Sequence, residues 1–209
     1  MMDPDSKIAS EITAKLVSRI LHDLAGPTSG LSSALDLLAD DADEGLHAEA
    51  VSLARDSLDR LAERIAFCRA AYGGGLDVAM FHRLAQTPFS HSRATLECAK
   101  LSPEAPPLLG QALLILSQIS AEALALGGTA RMEISPSKTI WSGSITIIGV
   151  RAHLHPETAL GLAGQDLVGG LPGRWAPARY VNAVVTAQGG GLSLVVEEGL
   201  IRLAATLPV

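Results

Sequence analysis

Apolar residues recur along the first third of the chain with the period of a helix. Ile8, Ile12, Leu16, Ile20, Leu24, Leu31, Leu35 and Leu38 fall at spacings of three, four or seven, which places them on one stripe of a helix over about residues 7–40. Leu46, Ala50, Leu53, Ser57, Leu61, Ile65, Cys68 and Tyr72 make a second stripe. Between the two lies ADDADEG, an acidic turn in which Asp41 or Asp43 is placed to cap the second helix. The product is a helical hairpin. Two antiparallel helices leave most of such a stripe facing water, and pairing with a second hairpin as a four-helix bundle covers it. The pattern therefore predicts a homodimer through residues 7–72.

Helical periodicity stops at the three glycines 73–75, flexible residues that mark a domain boundary. Residues 1–72 form the hairpin, 73–75 the linker and 76–209 a second domain. In that domain the pattern gives a short helical piece over 76–86, a strand in SRATLECA and a long apolar helix over 106–127. ARMEIS and WSGSITIIGV then read as strands, PARYVNAVVTAQ as a helix, and LSLVVEE and LIRLAATLP as closing strands. Helices alternating with a hairpin-rich sheet predict a two-layer α/β sandwich, and the whole chain is of α+β class.

Composition narrows the classes of function. With 48% hydrophobic residues in 209 the chain has material for a real core. A net charge of -6 gives no footprint for nucleic acid, whose binding rests on Lys and Arg against phosphates. The acidity belongs to the hairpin, which holds thirteen acids and seven bases. MMDPDSKIAS is acidic and polar where a secretory leader would be basic and then apolar, so no export is expected. The most apolar run, residues 108–126, carries Gln111, Ser117, Gln118, Ser120 and Glu122, which a lipid-facing span would not tolerate. A cytoplasmic protein without a membrane partner is expected. Cys68 and Cys98 belong to no metal or redox motif and read as buried thiols.

One position in the first helix stands apart. His22 falls two residues past Ile20, about 200° round the helix from the apolar stripe, so its ring points outward. Lys15, Ser18, Arg19, Gly26 and Ser29 lie on the same face. Small residues there let a bulky partner reach the imidazole, and the two cations suit a dianionic group. Pro27 removes a backbone donor at the level of Asp23, a cost of about 3 kcal/mol or more that predicts a bend beyond His22. A neutral imidazole leaves one ring nitrogen free to attack phosphorus. Asp23 is placed to orient the ring or accept its proton.

LHDLAGPTSGLSSALDLL resembles the H-box of the dimerisation and histidine phosphotransfer domains of two-component sensor kinases, matching it at His22, Asp23, Leu24 and Pro27. AEALALGG and YVNAVVTAQGGGLSLVVEEGLIRLAATLP resemble parts of the ATP-binding sandwich that follows in those kinases. The departures are as informative. Residues 106–128 hold no Asn to ligate Mg²⁺, the whole chain has only Asn182, and both the DxGxG nucleotide box and a stretch long enough for an ATP lid are missing. Gly26 stands where kinases with phosphatase activity usually have Thr or Asn. A degenerate ATPase-like sandwich behind a phosphotransfer hairpin is similar to the ChpT family of alphaproteobacterial histidine phosphotransferases.

That resemblance implies a phosphorelay enzyme that binds no ATP. His22 would carry the phosphoryl group as phosphohistidine, passing it between the receiver domains of a hybrid histidine kinase and of response regulators. No cofactor of its own is implied, with Mg²⁺ held by the partner receiver. The rival readings are an ATP-dependent histidine kinase and a non-catalytic dimeric adaptor in which His22 is idle. Arg55, Arg64 and Arg69 either line the docking face or make solvated pairs with Asp56, Asp59 and Glu63. HLHPE, with His153, His155 and Glu157, lacks a third partner for a metal site and reads as a loop. The remaining glycine repeats have no flanking Lys and Ser and read as turns.

Overall fold

The computed structural model describes residues 4–39, 44–167 and 171–209. Helix α1 (Pro4–Ala39) is uninterrupted, with Pro27 inside it, and pairs with α2 (Glu44–Tyr72) as a hairpin. The helices approach closely at Gly30, where an added Cβ would stand 2.8 Å from the Ser57 hydroxyl. That is why Ser57 occupies a place on an otherwise apolar stripe. The turn ADDADEG, with the predicted caps Asp41 and Asp43, and the glycines 169–170 fall wholly or partly outside the described residues.

Beyond the glycines come α3 (Phe81–Gln86), β1 (Ala94–Cys98), α4 (Pro107–Ala123), β2 (Gly128–Pro136) and β3 (Ile140–Ile148), then α5 (Pro156–Leu162), α6 (Pro172–Ala187), β4 (Gly191–Glu197) and β5 (Leu200–Pro208). The strands form one mixed sheet in the order β1-β2-β3-β5-β4, parallel only between β1 and β2. Strand alternation sends Trp141, Ile145 and Ile147 of β3, opposite Leu207, Leu203 and Ile201 of β5, to one buried face. Leu109, Leu113, Leu116 and Leu124 from the α4 region complete that core. The other face carries Thr95, Glu97, Arg131, Glu133 and Arg202 in solvent. This is the two-layer sandwich, and the chain is of α+β class.

Two elements differ from the sequence reading. HLHPE runs as a loop only up to His155, and Pro156 then starts α5. Proline suits a first helical turn, where its missing N–H has no partner to lose. Helix α6 starts at Pro172 and carries Pro177 inside it, five residues ahead of the expected start.

The hairpin is fused to the sandwich by apolar contacts. Phe67, Ala70 and Ala71 at the end of α2 lie in the same cluster as the α4 leucines. Ile12 and Leu16 of α1 pack on Trp175 and Ala176 of α6 as a second cluster. Part of the stripe allotted to a partner hairpin is thus covered by the chain's own second domain, while Leu35, Leu53 and Ile65 remain exposed. Among the described residues no helix is long and apolar enough to cross a membrane.

Candidate functional site

His22 stands on α1 with its side chain 85% exposed, the outward orientation its phase demands. It opens onto a cleft of 520 Å³ between hairpin and sandwich. Lys15, Ser18, Arg19 and Asp23 form the hairpin wall, and Glu122, His155, Gly173 and Arg174 the opposite one. The structure therefore brings together His22 and three of the residues that helical phase put on its face, Lys15, Ser18 and Arg19, with Asp23 beside them. Gly26 and Ser29 lie outside this cleft, exposed on the next turns of α1. Pro27 lines a separate depression beside Asp23, Arg64 and His91.

Asp23 is the fixed point of the site. Its Oδ1 lies 3.5 Å from Nδ1 of His22, near enough for its charge to orient the ring. Arg19 Nε donates to both Asp23 oxygens at 3.0 Å, and Nη2 of Arg64 donates to Oδ2. Burial pushes the Asp23 carboxyl upward, but the charges and hydrogen bonds of Arg64 and Arg19 outweigh it and hold the group below its usual range. Asp23 is thus a firm carboxylate, suited to orienting the ring and poorly suited to keeping a proton.

The remaining polar groups divide into engaged and open ones. Lys15 pairs with Glu11 and stands 5.2 Å from the ring centroid of Trp175. Arg19 also reaches Glu122 at 2.7 Å. Across the cleft Nη1 of Arg174 lies 3.1 Å from Nδ1 of His155. Burial, then the charge of Arg174, lowers the His155 pKa, so the imidazole accepts. His153 and His155 meet edge to face at 5.1 Å, and no metal-binding cluster exists among the described residues. Asn182 is structural, donating to the Leu162 carbonyl at 2.9 Å. Cys68 and Cys98 are half-buried free thiols with raised pKa, Cys98 to about 11 through burial.

Glu122, Gly173 and Arg174 were not picked out by sequence reasoning. One signal existed: Glu122 is the only charge between Glu104 and Arg131, and a lone charge in an apolar helix calls for a partner. Gly173 and Arg174 carry no local pattern, since only the α1–α6 packing brings them to His22.

Residues 79–199 match the family model described as the histidine phosphotransferase C-terminal domain. The chain belongs to the histidine phosphotransferase family. This places it in phosphotransfer signalling of the two-component kind. A bacterial phosphotransferase shares its fold, with a TM-score of 0.78 at 23% identity over 94% of this chain and 96% of that one. The histidine kinase AdeS of Acinetobacter baumannii is a looser likeness, with a TM-score of 0.49 at 14% identity over 90% of this chain and 97% of that one. No curated protein is significantly similar in sequence. The family match covers the sandwich up to the turn before β5 and does not reach the hairpin, so His22 is argued from the geometry of the cleft.

Proposed function

We propose that this family member is a phosphorelay intermediate whose phosphoacceptor is His22. The observation that carries the reading is an almost fully exposed imidazole with Nδ1 turned to a fixed carboxylate, 3.5 Å away. Hydrogen on Nδ1, facing Asp23, leaves the Nε2 lone pair directed outward. Nε2 attacks the phosphorus of an aspartyl phosphate on a receiver domain. The N–P bond forms as the P–O bond to the aspartate breaks, and the carboxylate leaves with the electron pair. Attack by a second receiver's aspartate runs the same step in reverse. Such transfers depend on in-line positioning and charge neutralisation, and the partner's Mg²⁺ supplies part of the latter.

The donor is a receiver and not ATP in this proposal. The Mg²⁺-ligating asparagine of the kinases has no counterpart in α4, and the stretch between Leu162 at the end of α5 and Pro172 at the start of α6 is too short for a glycine-bounded lid. The working form is proposed to be a homodimer. Val17, Leu21 and Leu35 on α1 and Val51, Leu58 and Ile65 on α2 are exposed at helical spacings, a surface that a second hairpin covers.

The test follows label from a phosphorylated receiver domain onto wild type and His22→Ala, beside an ATP-only reaction. Acid-labile, alkali-stable label on wild type alone is expected. Label arriving from ATP alone would make the protein a kinase, and label that persists in His22→Ala would remove His22 from the chemistry.

A further inference from the structure

Pro177 is the sixth residue of α6. A helical N–H donates to the carbonyl four residues back, so the Gly173 carbonyl meets a proline where that donor would be. Nη1 of Arg19, from α1, donates to this carbonyl at 3.2 Å. Through Nε the same guanidinium holds both oxygens of Asp23 at 3.0 Å, and through Nη2 it holds Glu122 of α4 at 2.7 Å. Each nitrogen of Arg19 is used inside the molecule, and its side chain keeps 21% exposure.

The network continues inward. Gln118 Nε2 donates to Glu122 at 3.4 Å, the Tyr72 hydroxyl donates to Gln118 Oε1 at 3.0 Å, and the Tyr180 hydroxyl donates to the Tyr72 carbonyl at 3.4 Å. Both helices of the hairpin are thereby tied to α4 and α6, α1 through Arg19 one turn below His22 and α2 through Tyr72 at its end. Three of the five N–H groups of Arg19, one on each nitrogen, are committed to four acceptors on Asp23, Gly173 and Glu122, so the plane and direction of the guanidinium are set inside the molecule. A planar fork suits that task and a point-charge ammonium does not.

We propose that Arg19 is a positioning residue for phosphotransfer: it locks the His22 helix to the second domain and fixes the Asp23 carboxylate that orients the His22 ring. The proposal rests on His22 as the phosphoacceptor. Phosphoryl transfer is sensitive to approach angle, and a displacement of about 1 Å costs up to about a hundredfold in rate. A ring tied through Asp23 to two helices and to the sandwich wall presents Nε2 at one angle to whatever enters the cleft.

The experiment compares wild type with Arg19→Gln, Arg19→Lys and Glu122→Gln. It measures kcat and KM for transfer from a phosphorylated receiver domain, together with ¹⁵N signals of the His22 ring in histidine-labelled protein. For Arg19→Gln, kcat falls about tenfold or more while KM stays within about twofold, and the ring signals move from one dominant tautomer toward a mixture. Arg19→Lys does not rescue either readout. Glu122→Gln leaves Asp23 paired with both arginines, so it keeps the tautomer and loses part of kcat; it also serves if Arg19→Gln does not fold. A raised KM with unchanged kcat would make Arg19 a docking contact and overturn the proposal, as would a folded Arg19→Gln protein with wild-type kcat and ring signals. If wild-type His22 accepts no phosphoryl group, the phosphoacceptor reading falls, and the ring signals alone decide whether Arg19 positions the imidazole.

Discussion

Arg64, on the second helix of the hairpin, donates to the carboxylate of Asp23 on the first. The acid beside His22 is therefore held from across the hairpin as well as from its own helix. Nε of Arg64 is buried without a partner, so the Asp23 contact is what balances this cation. Replacing Asp23 by Asn leaves two arginines facing a neutral amide. We expect D23N to lose roughly 3 kcal/mol of stability, read as a lower midpoint in urea unfolding. An unchanged midpoint would mean that water already screens the cluster.

Acid should act through the same group. The Asp23 carboxyl is held below its usual range in the folded state, so in acid the unfolded chain binds the proton more readily. Its contribution is complete above the unfolded carboxylate value of about 3.9 and fades as pH falls through the lower folded value. Urea midpoints of wild type and D23N, measured from pH 7 downward, should therefore converge on acidification. A gap that widens toward low pH would contradict the charge assignment.

Leu21 is 61% exposed and Leu58 54% exposed on the hairpin. A charge at either position opposes burial against a second copy and leaves the fold of one chain unaffected. Sedimentation velocity on Leu58→Glu should show a monomer with unaltered circular dichroism. A dimer that survives both Leu58→Glu and Leu21→Glu would place any self-association elsewhere.

Trp175 is fully buried between α1 and the sandwich, and its indole donates to the Gln165 carbonyl at 2.9 Å. Truncation to alanine should cost about 3–5 kcal/mol. It also removes the ring beneath Lys15 and loosens the wall of the cleft. Hydrogen exchange in α1 around Ile12 and Leu16 should rise in Trp175→Ala; protection equal to wild type would show that the cluster does not hold α1 down.

Periodicity made α1, α2 and α4 legible, because a 3.6-residue apolar repeat sustained over several turns rarely arises by chance. The strands were legible from their β-branched runs and glycine turns. Helix α5 was not, since seven residues between a histidine loop and a glycine give too few turns for a period to show. Pro177 hid the first turn of α6, because local rules place a proline at a helix start and not inside one. In the site, helical phase gave Lys15, Ser18, Arg19, Gly26 and Ser29 as the face of His22, with Asp23 known only as its neighbour in sequence, which is local information. The far wall came from α4 and α6, distant in the chain and joined to α1 only by packing. Phase also says which way a side chain leaves its helix, but not what it meets: Arg19 faces the cleft and is nevertheless taken up by Asp23, Glu122 and Gly173.

The apolar cluster that runs from Phe67 through Leu113 to Ile145 crosses the three glycines without a break. Such a join is a weld where a linker would be a hinge. The chain is then expected to melt in one cooperative transition, with hairpin and sandwich lost together. Swinging the hairpin off the sandwich would expose that cluster to water, so on the relay reading control is expected to lie with the partners. Each receiver has to bring its own phosphoryl group or acceptor to a surface already set, and signal flow is governed by which partner arrives and how often.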